Sequence, residues 1–295
     1  INMKSLSKIN FYNIKTVGIR VDFNIPVDEH FIITDNTRLL RARDTINFVK
    51  DQNCKILLLS HFGRPKKTFD KKFSFQTLIN QFSEVLDVKL NLLTYESFLK
   101  NGLSDFKNSN HQITLLENIR FFKGEIDNEL TFSKLITDEL DLYINEAFSA
   151  SHRSHSSVNG MPKNITSVPG FNFEKEVLAI KEIKNSSKKK LAIIGGSKVS
   201  TKINTLLSLT KSCANIFIGG AMANNFLKFK GISVGSSLLE EGSEKMIKQI
   251  YASALEKECE IHLPLDVVLD NENTSTIDKL SSLDHFKMLD LSEES

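Results

Sequence analysis

Residues 56–65 read ILLLSHFGRP, and this stretch decides the fold. Apolar β-formers run from Ile56 into Ser60, His61, Phe62, Gly63, Arg64 and Pro65. An unbroken apolar run of this kind predicts a strand buried on both faces, as in a parallel sheet. Gly63 and Pro65 stop it and leave a histidine and an arginine at its carboxyl end, where open α/β sheets bind ligands. Three more stretches follow the same plan. Residues 17–26, VGIRVDFNIP, deliver Arg20, Asp22 and Asn24; residues 113–122, ITLLENIRFF, deliver Glu117, Asn118 and Arg120. Residues 140–157 begin LDLYINEAF, end SASHRSHSS, and deliver Asn145, Glu146, His152, Arg153 and His155. Four apolar strands thus hand polar, mostly cationic groups to one edge.

Between them, Asn36–Asp51 has helical spacing at Leu39, Leu40, Ile46 and Val49, with Asp35 or Asn36 as its cap. Helices are also predicted over Ser74–Leu86 and Thr131–Glu139, and a short strand over Val88–Leu93. Such βα alternation predicts an α/β fold with doubly wound, mostly parallel sheets. Glu174–Lys184 is a helix that breaks into the polar joint 185–190, which divides the chain into domains at 1–172 and 191–295 with a hinge at 173–190. In the second domain, residues 191–202, LAIIGGSKVSTK, and 215–225, NIFIGGAMANN, each end a strand on paired glycines. Leu238–Glu258 reads as an amphipathic helix, Glu260–Asp270 as one strand, and residues 271–295 as polar and undistinguished.

The chain has 295 residues, 40% hydrophobic and 25% charged, and a net charge of +2, which argues against general nucleic-acid or membrane electrostatics. Cys54, Cys213 and Cys259 are widely spaced without metal-ligand patterning, and read as buried thiols of a reducing compartment. With no signal-peptide core and no membrane-length apolar stretch, the reading is cytoplasmic. Arginine decides more than total charge. Positive charge is mostly lysine, and the arginines are Arg20, Arg38, Arg41, Arg43, Arg64, Arg120 and Arg153, none beyond residue 153. Arginine in a lysine-using chain points to bidentate recognition of carboxylate or phosphate, with Arg41 and Arg43 better read as surface ion-pair residues.

Each signal has a plain alternative. His61 and Arg64 alone would be a satisfied strand end; repetition over four strand ends weakens that. Asp22 could be a general base, but among arginines a carboxylate more often orients or binds a hydroxyl. His152, Arg153 and His155 lack a ligand set with metal spacing. Gly195-Gly196-Ser197-Lys198 is neither a Walker A loop nor a dinucleotide fingerprint; it is either a turn or a phosphate site at a helix start. If that helix begins at Lys198, Lys198 and Lys202 share one face of its first turn.

Together these stretches resemble phosphoglycerate kinase, a family of monomeric two-domain glycolytic enzymes. The resemblance runs through RVDFNIP, NTR, SHFGRP, LLENIRF, NEAFSASHRSHSS, IIGGSKVSTK, FIGGAMANNF and LPLDVV, in order. It implies reversible phosphoryl transfer between ATP and the carboxylate of 3-phosphoglycerate, giving 1,3-bisphosphoglycerate and ADP, with Mg²⁺ and without nucleic-acid or membrane partners. By position, Asp22, Phe23, Asn24, Arg38, His61, Phe62, Gly63, Arg64, Arg120 and Arg153 match the substrate segment. Lys202, Gly195, Gly196, Gly219 and Gly220 match the nucleotide side, and Arg38 with Lys198 match the pair that neutralises the transferring group. Domain closure about the hinge is implied as well. The chain departs from the family in lacking a Trp-Asn-Gly-Pro segment and a Gly-Gly-Gly-Asp-Thr loop, and it has no tryptophan. The expectation is therefore an incomplete second domain, with magnesium's protein ligand outside this sequence. A non-catalytic module that binds only the small anion is the second reading.

Overall fold

Strands that are apolar on both faces have to be covered on both, and the first half of the chain is built to do so. The computed structural model describes residues 4–66, 68–270, 273–282 and 287–291. The chain divides into two units, Ile1–Ile183 and Lys184–Ser295. In the first, β1 (Thr16–Arg20), α1 (Thr37–Lys50), β2 (Lys55–Leu59), α2 (Ile79–Leu86) and β3 (Leu90–Leu93) come first. Then follow α3 (Tyr95–Asn101), α4 (Ser104–Asn108), β4 (Ile113–Leu116), α5 (Lys123–Ile126), α6 (Leu130–Thr137) and β5 (Leu142–Asn145). The unit closes with α7 (Met161–Asn164), β6 (Ser167–Pro169) and all but the last two residues of α8 (Phe171–Asn185).

Its six strands form one sheet in the order β3-β4-β2-β1-β5-β6, every neighbour parallel. Ile19, Ile56, Leu58 and Ile144 face one way, onto Leu39 and Ile46 of α1 and Phe82 of α2. Leu57, Leu59, Leu116 and Tyr143 face the other, onto Phe98, Phe106 and Ile136. Period-two burial on both faces explains why the strands read as continuous apolar runs. The register sets Arg20 beside Leu59 on one side and Asn145 on the other. The four polar-ended strands are therefore contiguous, as β4-β2-β1-β5, and all end on one edge.

The helix expected over Ser74–Leu86 is shorter than its periodicity suggests. Its first residues form 3-10 turns, because the Ser74 hydroxyl donates to Glu117 at 2.6 Å and the Phe75 N–H donates to the same carboxylate at 2.8 Å. At α1, Asp35 rather than Asn36 accepts the Thr37 N–H, at 2.8 Å.

The second unit runs β7 (Leu191–Ile194), α9 (Ile203–Thr210), β8 (Asn215–Ile218), α10 (Ala221–Phe229) and α11 (Glu244–Glu256). β9 (Glu260–His262), β10 (Asp266–Leu269), β11 (Thr274–Thr276) and β12 (Met288–Leu291) complete it. β7-β8-β9 is a parallel sheet whose Ile216 and Ile218 pack with Leu206, Phe226 and Ile250 of the helices. The opposite face of β7 carries Leu191 and Ile193, which are 62% and 73% exposed.

Four sequence expectations change here. Residues 260–270 are two strands in two sheets, because Pro264 ends the first and cannot donate to a ladder. The stretch after Asp270, expected to be undistinguished, contributes β11 and β12, both antiparallel to β10. The helix expected from Leu238 starts at Glu244, since Ser243 and the Glu240 N–H are held by Asn225. Cys54 and Cys259 are buried, but Cys213 is half-buried. Among the described residues no helix is long and apolar enough to cross a membrane.

Candidate active site

Four strand ends make the first unit's edge, and its loops are held by side-chain amides. Asn118, fully buried after β4, uses every hydrogen-bonding position it has. Its Oδ1 accepts from the Phe62 and Arg120 N–H groups, both at 3.2 Å, and its Nδ2 donates to the Phe62 carbonyl at 2.7 Å and the Phe73 carbonyl at 2.9 Å. The side chain thus stands in for a β-strand partner to the His61–Gly63 turn. Asn24, after β1, accepts the Gly63 N–H at 2.8 Å, and Nη1 of Arg120 donates to the Gly63 carbonyl. Ser60 accepts the Phe23 N–H at 2.8 Å. Phe23 and Phe62 point into the core, where Phe23 packs on Phe82 and Phe62 on Phe73 and Phe75. Their side chains are core, and the N–H groups of both are taken by Ser60 and Asn118, so both residues shape the edge from beneath.

The charged groups divide into paired and unpaired. Arg38, in the first turn of α1, donates to Asp22 Oδ2 at 2.8 Å, and Ser149 donates to the same oxygen, which orients Asp22 rather than freeing it as a base. Arg20 is buried and spends its donors inside the protein, on Ser157, Val21 and His61. Arg64 and Arg153 are exposed, and among the described residues neither has a carboxylate partner. Burial, followed by Arg153, Arg20 and Arg64, pulls the Arg120 pKa down to about 10, so it stays cationic. Burial, then Arg20, Arg120 and Arg38, pulls His61 down to about 2, so its imidazole is neutral. Burial and then Arg120 and Arg153 lower His155 as well. The edge therefore presents several fixed cations and a neutral histidine donor, an arrangement suited to a small polyanion.

Glu146, at the end of β5, is buried and accepts the Asn172 N–H at 3.0 Å, capping α8. Burial raises its pKa to about 7 against that hydrogen bond. Its folded value lies above the ordinary 4.5, so the stability it contributes is present at low pH and lost as pH rises from 4.5 through 7. A Glu146→Gln chain should therefore gain on the wild type by about 1.4 kcal/mol per pH unit across that window. Urea unfolding of both chains at the two ends of the window measures this; a pH-independent difference would refute it.

The second unit brings two loops together at the carboxyl ends of β7 and β8. The Met222 N–H donates to the Gly196 carbonyl at 2.7 Å and the Gly219 N–H to the Ile194 carbonyl at 2.8 Å. A Cβ on Gly220 would stand 3.2 Å from the Gly196 backbone. Lys202 lies along Gly196, while Gly195 and Lys198 are exposed. The expected sharing of a helical face by Lys198 and Lys202 does not occur. α9 begins at Ile203, and residues 199–202 form a turn in which Ser200 donates to Glu240 from its N–H at 3.1 Å and from its hydroxyl. Thr201 donates to the Lys198 carbonyl at 3.0 Å, so the local hydroxyls compete with the helix ladder. Glu240 was not singled out in the sequence, and its partner is forty residues away. Among the described residues, no group of three His, Cys, Asp or Glu is placed to hold a metal.

The phosphoglycerate kinase family model matches residues 6–295. The chain is 39% identical to phosphoglycerate kinase of Prochlorococcus marinus (strain MIT 9312) over 288 residues, 96% of this chain and 71% of that protein. It is 38% identical to the phosphoglycerate kinase of Finegoldia magna over 289 residues, 97% of this chain and 73% of that one. Among solved structures, phosphoglycerate kinase from Coxiella burnetii superposes with a TM-score of 0.79 at 31% identity, covering 99% of this chain and 75% of its own. Sequence match over nearly the whole chain and a shared fold lead to one conclusion: the chain belongs to the phosphoglycerate kinase family.

Proposed function

We propose that the carboxyl edge of the first unit's sheet binds 3-phosphoglycerate and that the glycine loops after β7 and β8 bind the phosphates of ATP or ADP. The reaction class follows from the family: the chain is a phosphotransferase with a carboxyl acceptor, a kinase of glycolysis. Family membership does not favour the reading as a non-catalytic anion-binding module.

The observation that carries the substrate assignment is the unpaired state of Arg64 and Arg153 beside Arg120. Burial, then Arg153, Arg20 and Arg64, lower the Arg120 pKa, so the two exposed guanidinium groups add to a local positive potential that a phosphate and a carboxylate on one small molecule would match. Arg38, steered by Asp22, would take the carboxylate end. A carboxylate oxygen is already a nucleophile, so no strong general base is needed and the neutral His61 suffices as a hydrogen-bond donor. Lys202 would hold nucleotide phosphate across Gly195, Gly196, Gly219 and Gly220, and Lys198 with Arg38 would neutralise charge on the transferring group. Mg²⁺ would arrive with the nucleotide and supply charge neutralisation on its phosphates. Among the described residues no group of three His, Cys, Asp or Glu is placed to hold it. We further take the protein to be a cytoplasmic monomer.

Calorimetric titration with 3-phosphoglycerate tests the site. Arg153→Ala and Arg38→Ala should each weaken binding about tenfold or more, the loss of one charge-assisted contact. Arg41→Ala should not, since Arg41 is exposed and 3.9 Å from Glu176. Unchanged affinity in both site variants, or no binding by the folded wild type, would overturn the assignment.

A further inference from the structure

Beneath the edge lie buried polar groups that the proposed chemistry does not use. Glu125 and Ser157 are fully buried, and Arg20 nearly so. Ser157 sits in a π-helical turn, Ser156–Gly160, a backbone form frequent at functional sites. Its carbonyl accepts from the buried Tyr143 hydroxyl at 2.6 Å, and its N–H donates to Glu125 Oε2 at 2.8 Å. The turn is therefore pinned on both sides.

The direction of each hydrogen bond that Arg20 makes is forced. Arginine has donors only. Nε of Arg20 lies 2.9 Å from Ser157 Oγ, so the hydroxyl accepts there and must send its single proton to Glu125 Oε1, at 2.6 Å. Nη1 of Arg20 donates to the Val21 carbonyl. Nη2 lies 3.0 Å from His61 Nδ1, and since the arginine can only donate, that ring nitrogen must be bare. A neutral imidazole with a bare Nδ1 carries its proton on Nε2. The other tautomer would set two N–H donors against each other at 3.0 Å in a buried site. A second proton on the ring is opposed by burial and by Arg20, Arg120, Arg38 and His155 around it. Burial raises the Glu125 pKa, while Arg20 and the two Ser157 donors hold it down.

We propose that Glu125 and Ser157 are positioning residues that, through Arg20, hold His61 as the Nε2–H tautomer. His61 then meets an anion as a hydrogen-bond donor without carrying charge, and it cannot turn a lone pair toward it. The functional consequence rests on the reading of this edge as the 3-phosphoglycerate site; the tautomer itself does not.

The test is a long-range ¹H–¹⁵N spectrum of the full chain labelled at histidine, with a His61→Gln chain to assign the His61 signals. In the ligand-free wild type, His61 should show one protonated and one bare ring nitrogen, with the proton on Nε2, unchanged between about pH 5 and 8. Ser157→Ala should convert this to a mixture of tautomers and raise KM for 3-phosphoglycerate about tenfold, with a smaller change in kcat. Ser157→Thr, which keeps the hydroxyl, should restore both. A proton on Nδ1 in the wild type overturns the proposal whether or not any variant folds. So does a folded Ser157→Ala chain that keeps a pure Nε2–H signal. Loss of the site reading shows elsewhere, as intact 3-phosphoglycerate binding in Arg38→Ala with the His61 spectrum as expected.

Discussion

An Asn118→Leu chain is expected to lose about 4 kcal/mol of stability and, where it still folds, to bind 3-phosphoglycerate at least tenfold more weakly. Leucine keeps the number and branching of asparagine's side-chain heavy atoms, so its bulkier methyl groups add only a secondary packing cost. The cause is that two N–H groups and two carbonyls lose their partner together. At about 1–3 kcal/mol for each buried group left unsatisfied, reduced by partial relaxation toward water, the total falls in that range. Asn118→Asp separates the contributions, because it keeps both accepted hydrogen bonds and loses both donated ones. It should fall between wild type and the leucine chain unless the buried charge makes it worse still. Urea unfolding and calorimetry with 3-phosphoglycerate read the two effects; a leucine chain within 1 kcal/mol of wild type, on the ~1 kcal/mol scale of an ordinary mutation, would refute the account.

Gly63→Ala is the second. Gly63 has φ +62°, and a Cβ there would stand 2.3 Å from two ring atoms of Phe73. The left-handed backbone costs a non-glycine residue about 1–2 kcal/mol. The clash adds more, because Phe73 packs edge-on to Phe62 with 6.2 Å between centroids, and making room for the Cβ disturbs that contact. A loss of about 3 kcal/mol is expected, with weaker 3-phosphoglycerate binding. Gly231→Ala is the control: it caps the end of α10 with φ +83° and no atom lies within 4 Å of its Cβ, so only the backbone cost of about 1 kcal/mol applies. Equal losses in the two chains would show that Phe73 gives way freely and that the turn is not held from below.

The edge was legible because its residues follow directly on strands whose apolar runs announce themselves. Arg20, Asp22, His61, Arg64, Arg120 and Arg153 could all be placed at strand ends from the sequence. What supports them could not. Glu125 lies in a short helix with no apolar period, and its partner Ser157 is 32 residues further on. Asn118 was visible in LLEN, but its four hydrogen bonds depend on the 56-residue separation from Phe62 closing across the sheet. In the second unit, the turn over 199–202 defeated the helical reading because the competing acceptor, Glu240, comes from a distant loop. β11 reads TST, too short and polar for alternation to mark it, and exists because β10 offers an edge. Local pattern reports what a segment prefers; these features were decided by what reaches it.

β1, the earliest in sequence of the six strands, lies fourth in their sheet, with β2 on one side and β5 on the other. On a ribosome, β1 can pair with β2 once Leu59 has emerged, but its other edge stays open until Leu142–Asn145 is synthesised. Over that interval an apolar strand edge is exposed to other nascent chains, which is where aggregation begins. Arg153, Ser157 and Glu146 emerge with or after β5, so strand closure and assembly of the anion edge coincide. Anything that stalls translation between residues about 60 and 140 would leave a species with Arg20 and Arg38, and later Arg64 and Arg120, already made but without the β5 side of the edge.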